Sequence, residues 1–423
     1  NLSGGTLSKA VSGSGKTTIS GNTTNSGGIN QGVTVNSGVT LTNNAALGSD
    51  SGTMTNSGTI NTNASNIKGT VANNNTLNLS GGTLSKAVSG AGTTNITGAV
   101  TSNSAISQAI NVVAAGDLTI NANNIGGAVT NAGDLILTGG TLSKVVSGSG
   151  KTTITGNTTN NSGINQGVSV NSGVTLTNNA ALGSENGAIT NSGTITSNAG
   201  NIKGTVTNNN TLNLSGGTLS KAVSGSGTTT ISANATNNGG ISQKVNVNSG
   251  VTLTNNAALG SDSGVVTNSG TINTSASNIK GAVTNNNTVN LSGGTLAKAI
   301  SGSGTTNITG IVSSNSAISQ AISIASAGDL TISASNVGGN VTNAGDLILN
   351  GGTLSKAVTG SGKTSITGAV TANSAISQTI SISSSGDLTA NAGNIGGAVT
   401  NAGDLILTGG TLSKAVSGAG LTT

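Results

Sequence analysis

Residues 133–150 read GDLILTGGTLSKVVSGSG, and similar short apolar runs separated by small turn residues recur along all 423 residues. In this stretch the run Asp134-Leu135-Ile136-Leu137 is followed by a glycine pair and then by the shorter runs around Leu142 and Val146. Apolar residues that alternate over three to five positions are typical of short β-strands. Gly, Asn and Ser between the runs favour turns, because they tolerate positive φ or bond their own backbone.

The tetrad Gly-Gly-Thr-Leu divides the chain into tandem repeats. Successive tetrads define 77-residue and 58-residue repeats. A unit of about 19 residues divides both lengths, which predicts repeats of four and three coils. The tetrads begin at Gly4, Gly81, Gly139, Gly216, Gly293, Gly351 and Gly409.

The turn residues give a finer estimate of the coil. Gly92, Gly116, Gly133 and Gly150 follow one another at one longer interval and then two equal, shorter ones. This spacing predicts a basic coil of about 17 residues that sometimes carries an insertion, so that coils span from about 17 to about 24 residues. A second landmark, Ile-Asn/Ser-Gln, follows each of the first six tetrads at a constant distance, as at Ile29-Asn30-Gln31.

Strands this short bury nothing alone, so the sequence predicts an all-β, single-stranded parallel β-solenoid over residues 1–423. We expect about 22 coils, with inward Leu, Ile and Val stacked on like residues and Asn and Thr forming hydrogen-bonded ladders. Variable coil length and the preference of parallel crossovers favour a right-handed β-helix. Because the chain opens and closes inside a repeat, we expect it to be a fragment of a longer protein.

The composition narrows the function classes. The chain has no Phe, Tyr, Trp, Cys, His, Pro or Arg, so its core must be a thin one of aliphatic residues. The net charge of +5 is spread along the chain, and the lack of Arg argues against a nucleic-acid partner. The lack of Cys excludes disulfides and thiolate metal sites. No apolar run long enough for a transmembrane helix is present, and no cofactor motif is found.

Short segments of the repeats resemble a known family. Asn56-Ser57-Gly58-Thr59-Ile60, Asn191-Ser192-Gly193-Thr194-Ile195 and the segment from Asn131 to Leu137 are similar to repeats of bacterial filamentous-haemagglutinin-type and autotransporter passenger domains. The resemblance implies right-handed β-helices that are secreted to the bacterial cell surface as adhesins or fibres. This chain departs from the family in lacking aromatic residues, which indicates a regular, structural rod. It also shows neither the secretion-targeting cap nor the membrane barrel of such proteins, and we expect both to lie outside this fragment.

Three segments look like phosphate-binding loops, namely Gly15-Lys16-Thr17, Gly150-Lys151-Thr152 and Gly362-Lys363-Thr364. The phosphate-loop motif requires a glycine five residues before its Gly-Lys pair. Ala10, Val145 and Ala357 stand at that place. We therefore interpret these segments as exposed turns.

Some aspartates recur one basic coil apart and are expected to lie on adjacent coils. Two neighbouring carboxylates repel unless a cation or a proton intervenes, so they are weak candidates for a shared calcium site. The preferred interpretation is solvated turn carboxylates, one of which pairs with the lysine one coil later. The candidates are Asp117, Asp134, Asp329, Asp346, Asp387 and Asp404.

One lysine holds the same place in every repeat. With three or four coils between them, these lysines are expected to form a surface stripe spaced by about 14–19 Å. We interpret them as solubilising charges that oppose edge-to-edge aggregation, with weak attraction to an acidic host or cell-surface glycan as the alternative. They are Lys9, Lys86, Lys144, Lys221, Lys298, Lys356 and Lys414.

The sequence as a whole predicts a non-catalytic, extracellular structural fibre or stalk of a bacterial surface adhesin. Without His, Arg or aromatics, and with its acids in single file, the chain lacks the constellations that an enzyme needs. The alternatives are a self-polymerising filament that associates end to end or side by side, and an ice-binding or polysaccharide-binding solenoid. Ice binding requires Thr-x-Thr in register, and Thr17-Thr18, Thr40-Leu41-Thr42 and Thr59 are expected to lie out of register.

Overall fold

The computed structural model describes residues 1–423 and confirms the fold class: all-β, with parallel strands stacked as a β-solenoid of about 25 turns. The turns are more numerous than the sequence predicted, because the mean coil is shorter than the unit inferred from the repeat lengths. The chain consists of two compact units, Asn1–Leu212 and Asn213–Thr423. The handedness of the helix stays a prediction.

The first compact unit contains 25 complete strands, and the strand Thr211–Leu214 includes the residue at which the units divide. The 25 strands are Gly5–Leu7, Val11–Ile19, Thr23–Asn25, Ile29–Val35, Thr40–Asn43, Met54–Asn56, Thr59–Thr62, Val71–Asn73, Thr76–Leu79, Gly82–Leu84, Val88–Ser89, Thr93–Ile96, Ala99–Ser102, Ala109–Val112, Asp117–Ile120, Val129–Asn131, Asp134–Leu137, Gly140–Leu142, Val146–Ile154, Thr158–Asn160, Ile164–Val170, Thr175–Asn178, Ile189–Asn191, Thr194–Ser197 and Val206–Asn208.

The second compact unit is built in the same way. Its strands are Gly217–Leu219, Val223–Ser224, Thr228–Ile231, Ala235–Asn237, Lys244–Val247, Thr252–Asn255, Val266–Asn268, Thr271–Thr274, Val283–Asn285, Thr288–Leu291, Gly294–Leu296, Ile300–Ser301, Thr305–Ile308, Ile311–Ser314, Ala321–Ile324, Asp329–Ile332, Val341–Asn343, Asp346–Leu349, Gly352–Leu354, Val358–Thr359, Lys363–Ile366, Ala369–Ala372, Thr379–Ile382, Asp387–Ala390, Val399–Asn401, Asp404–Leu407, Val416–Ser417 and Leu421–Thr422. Six single-turn 3-10 helices interrupt the strands of the chain at Ala64–Asn66, Ala122–Asn124, Ala199–Asn201, Ala276–Asn278, Ala334–Asn336 and Ala392–Asn394.

Coil length is variable, as predicted, but over a different range. The shortest step between paired residues leads from Thr94 to Ile110, and the longest leads from Val33 to Met54. The longest step expected from the sequence, from Gly92 to Gly116, was wrong, because these glycines lie at turns of different faces. The N–H of Asp117, next to Gly116, donates to the carbonyl of Gly98, 3.2 Å away.

The repeats do not contain whole numbers of turns. In the first compact unit the column of paired residues that starts at Gly5 passes through Thr23, Leu41, Ile60 and Leu77. The next tetrad strand begins shortly after Leu77, at Gly82, and Gly82 heads another column through Val100, Leu118 and Leu135.

The following tetrad strand starts a third column, because Gly140 pairs with Thr158. A 77-residue repeat is therefore about four and one-third turns and a 58-residue repeat about three and one-third, rather than four and three. In the second compact unit Gly217, Gly294 and Gly352 likewise head three separate columns. Each repeat thus presents its tetrad on the next face of the solenoid.

The core is a thin aliphatic one, with buried asparagines beside it. Val100, Leu118 and Leu135 are stacked in one column and are at most 2% exposed. Asn56 Nδ2 donates to Asn73 Oδ1 over 2.6 Å, and both residues are fully buried. The predicted Asn ladders are therefore confirmed, and they satisfy polar groups that burial would otherwise penalise.

The tetrad strand lies against the 3-10 helix of the preceding coil. The N–H of Ala64 donates to the carbonyl of Gly81 over 2.7 Å, and the N–H of Thr83 donates to Ser65 Oγ over 2.8 Å. Gly82 has a φ of +85° and approaches so closely that a Cβ there would be 2.2 Å from Asn63 Oδ1. Both the backbone conformation and the close contact explain the glycine at this position.

Candidate functional site

The segments that look like phosphate loops are strands. Lys16 lies in Val11–Ile19, Lys151 in Val146–Ile154 and Lys363 in Lys363–Ile366, and no helix follows any of them directly. A phosphate loop places its backbone N–H groups around the anion at the start of a helix. This geometry does not match a phosphate loop. The expectation of exposed turns was also wrong, because the lysines and threonines lie in strands and Thr17, Thr152 and Thr364 are buried.

A buried polar pair lies beneath each of these segments. Thr152 takes a core position between Leu135 and Val168 and is fully buried. Gln166 Nε2 donates to its Oγ1 over 2.7 Å. The strand bulges between Ser147 and Lys151, where the register with the neighbouring strand shifts. The same pair recurs as Gln31 and Thr17, Gln108 and Thr94, Gln243 and Thr229, Gln320 and Thr306, and Gln378 and Thr364.

This pair gives the Ile-Asn/Ser-Gln landmark a structural role that sequence reasoning missed. We expect Thr152→Val to destabilise the surrounding coils by about 1–3 kcal/mol, because the Gln166 amide loses its hydrogen-bond partner in the core. Gln166 Oε1 is already a buried atom without a partner. Replacing both residues, Thr152→Val with Gln166→Leu, should recover part of the loss. A double-mutant cycle from denaturant unfolding tests this, and additive losses would contradict it.

The aspartates lie in register on adjacent coils. Asp117 pairs with Asp134 and Asp134 with Lys151. The second copy pairs Asp329 with Asp346 and then Lys363, and the third pairs Asp387 with Asp404 and then Leu421. Lys363 Nζ lies 3.6 Å from Asp346 Oδ2. No group of three or more His, Cys, Asp or Glu side chains suited to a metal ion is found, and calcium binding stays a prediction.

The repeated lysines do not form the single stripe that was expected. In the first compact unit Lys9, Lys86 and Lys144 each follow a tetrad strand on a different column, since each repeat adds about a third of a turn. The lysines of each compact unit are therefore distributed over its faces. Their proposed attraction to acidic glycans stays a prediction. It cannot depend on a row of cations along one side, because the lysines do not form such a row.

Two of these lysines are paired with acidic hairpins that sequence reasoning missed. Lys86 Nζ lies 2.8 Å from Asp50 Oδ1, and Lys298 Nζ lies 2.5 Å from Asp262 Oδ1. Each aspartate lies at the tip of a small hairpin closed by an antiparallel bridge, at Ser49–Gly52 and Ser261–Gly264. The hairpins belong to the 77-residue repeats. The available signal was an acidic residue at a fixed distance before the lysine in these repeats.

The ion pair predicts a small pH dependence. A side-chain hydrogen bond from Lys86, together with its charge, lowers the pKa of Asp50 from 3.8. The carboxylate therefore stabilises the fold above that value, and this contribution is lost as the pH falls through the lowered pKa. We expect Asp50→Asn to lower the melting temperature slightly at neutral pH and not at all in strong acid. Because Asp50 is exposed, added salt should reduce the difference, and an effect that persists in acid would contradict the pairing.

Threonines and asparagines form two outward rows on one face of the first compact unit. Thr40, Thr59, Thr76 and Thr93 are paired in register on successive coils. The expectation that Thr40 and Thr59 lie out of register was wrong, because Thr59 follows Thr40 by one full coil and pairs with it, although Thr17 does belong to another column.

The second row consists of half-buried amides that bond to one another. Asn78 donates to Asn61 over 2.6 Å, Asn95 to Asn78 over 2.7 Å and Asn111 to Asn95 over 3.1 Å. This row borders an open groove of about 670 Å³ that extends across five coils, from Thr42 to Asn111. We call it the amide groove.

An equivalent groove lies in the second compact unit. It also measures about 670 Å³ and is lined by Asn273 and Asn290, whose row continues to Asn307. Asn290 donates to Asn273 over 2.7 Å and Asn307 to Asn290 over 2.8 Å. Sequence reasoning did not single out these residues, although Thr-x-Asn at consecutive coils of a 77-residue repeat is a visible signal.

Comparison with known proteins gives no relative for this chain. No protein-family model, no curated protein and no solved structure matches it.

The two amide grooves offer contact only to uncharged polar groups. Both amide grooves are lined by Asn, Thr and Ser, with a single Val in the first. The ionisable side chains lie elsewhere on the coils. None of the helices has the length and apolar character needed to cross a membrane.

Proposed function

We propose that this chain is a non-catalytic structural fibre or stalk of a bacterial surface adhesin, located outside the cell. The observation that carries the proposal is the unbroken stacking within each compact unit. In the first, one column of paired residues continues from Gly5 through Thr94 and Ile164 to Ile202. In the second, a column continues from Gly217 through Ile322 to Ile395.

Such stacking favours a mechanical role. At about 4.8 Å per coil, the column of the first compact unit extends over about 50 Å. Each coil is held to its neighbours by parallel hydrogen bonds, a shared aliphatic core and Asn ladders, so stability is distributed over the length rather than concentrated at one site. The resemblance of the repeats to adhesin passenger segments supports the extracellular location.

Electron microscopy of the purified chain tests the fibre. Discrete rods of uniform length are expected for a stalk. Endless filaments would instead favour the self-polymerising alternative, and compact or shapeless particles would contradict both. Antibodies raised against the chain should label intact producing bacteria, and labelling that appears only after lysis would contradict the surface location.

Ice binding is the second candidate, because Thr40, Thr59, Thr76 and Thr93 form a regular row. Together with the neighbouring asparagine row, these threonines form a lattice with spacings of about 4.8 Å between coils and about 6.6 Å along each strand. A freezing-hysteresis assay decides this candidate. The absence of hysteresis would remove this candidate, and hysteresis that survives Thr59→Val with Thr76→Val would show that the threonine row is not the ice-binding face.

A further inference from the structure

The amide groove is the surface feature that the fibre proposal leaves unexplained. A fibre needs coils that stack, and the buried Asn56–Asn73 pair already supplies an internal ladder. The row from Asn61 to Asn111 is outward and half-buried instead, and it borders a groove with the volume of a ligand site. The same arrangement occurs independently in the second compact unit.

The amides keep hydrogen-bonding capacity after bonding to one another. Asn78 Nδ2 uses one N–H to reach Asn61, and Asn78 Oδ1 accepts one bond from Asn95. An asparagine amide has two N–H donors and two acceptor lone pairs. One donor and one acceptor of Asn78 therefore remain for a ligand, and the neighbouring bonds hold the amide in place before the ligand arrives.

The lining selects the chemistry of the ligand. None of the lining residues is charged, so the groove offers no counterion to a phosphate, a sulfate or a carboxylate. It also lacks the aromatic or aliphatic pockets that anchor peptide side chains. Amides and the hydroxyls of Thr42, Ser80 and Thr97 instead match a ligand whose groups are both donors and acceptors.

The geometry requires a linear ligand. The amides repeat once per coil, at intervals of about 4.8 Å, and the five coils of the first groove extend over about 19 Å. An occupant that uses the row must present a hydroxyl at similar intervals along its length. We propose that each amide groove binds a neutral, linear polysaccharide chain lying parallel to the stacking direction.

This inference stands separately from the proposed fibre, because a rod can form without binding a glycan and a glycan can bind without a rod. The test is retention of the purified chain on insoluble cellulose and chitin, with heparin beads as the charged comparison. We expect the wild-type chain to be retained on at least one of the two neutral glycans and, at physiological salt, not to be retained on heparin.

The groove variant is Asn78→Ser, Asn95→Ser, Asn290→Ser and Asn307→Ser. Serine is compatible with the stack, since Ser323 already pairs with Asn307. We expect at least about tenfold weaker retention, because several amide hydrogen bonds are removed together. The control variant carries four exposed asparagines outside the grooves, Asn30→Ser, Asn165→Ser, Asn246→Ser and Asn340→Ser, and should bind within about twofold of wild type.

Circular dichroism of both variants checks that they are folded. No retention of the wild-type chain on either neutral glycan would overturn the proposal. Equal losses in the groove and control variants would also overturn it, as would binding to heparin alone, which would assign glycan contact to the lysines. Electron microscopy tests the fibre separately, so failure of the glycan proposal can be distinguished from failure of the fibre proposal.

Discussion

Gly82→Ala is expected to destabilise the coils around it by about 2–5 kcal/mol, well beyond the effect of Gly38→Ala. Both glycines have positive φ, +85° at Gly82 and +73° at Gly38. An added Cβ at Gly38 meets nothing within 4 Å, whereas at Gly82 it comes within 2.5 Å of Ser65 Oγ and still closer to Asn63 Oδ1. Those oxygens accept the backbone N–H groups of Thr83 and Ser65, so moving them breaks bonds between coils and within the 3-10 helix.

The pair of variants separates two physical effects. Gly38→Ala reports only the conformational strain of a left-handed backbone, about 1–2 kcal/mol. The excess at Gly82 reports the close approach of the tetrad strand to the 3-10 helix. Hydrogen exchange of the residues around positions 60–85 and 30–45 measures both, because a repeat protein can open locally. Equal losses at the two sites would show that the close approach is not required.

Leu118→Ala is expected to have a comparably large effect, about 2–5 kcal/mol, through a cavity in the aliphatic column. Leu118 is fully buried between Val100 and Leu135 in a core that has no aromatic side chain able to fill the space. Thr119→Ala, the next position along the chain and on the outer face, serves as the control and should stay within about 0.5 kcal/mol of wild type.

The measurement is again local. Hydrogen exchange should accelerate in the coils on both sides of Leu118 and remain unchanged several coils away, because each coil contacts only its neighbours. A similar loss from Thr119→Ala would contradict the assignment of the inner face. A uniform loss over the whole chain would contradict local stacking.

The aspartates and lysines show how far spacing along the sequence can predict which residues lie next to one another. The interval from Asp117 to Asp134 placed these two residues in register correctly, because that coil has the basic length. The prediction of a lysine stripe was wrong, because it assumed that both repeat lengths are whole numbers of turns. Because the coils differ in length, each repeat contains an extra third of a turn. No local feature of the sequence predicts this extra rotation.

The polar pairs were missed for a related reason. Gln166 lies 14 residues after Thr152, and Lys298 lies 36 residues after Asp262. The first interval is shorter than one coil, because the pair fills a bulge. The second interval is about two coils, but Asp262 lies in a hairpin that extends from its coil and Lys298 lies between two strands, so neither residue belongs to a column of paired strand residues. The amide rows, by contrast, could have been predicted from the sequence, because Thr-x-Asn recurs in successive coils.

The sequence by itself determined that this chain is a parallel β-solenoid with a thin aliphatic core, Asn ladders and coils of unequal length. These properties depend on period-two alternation and on the turn-forming residues between short runs, which act over a few neighbouring positions. Only the tertiary structure decided which face each repeat occupies, where the lysines lie and where the amide grooves form. Those features depend on hydrogen-bond register between coils, which accumulates over every insertion along the stack and so cannot be read from any single segment.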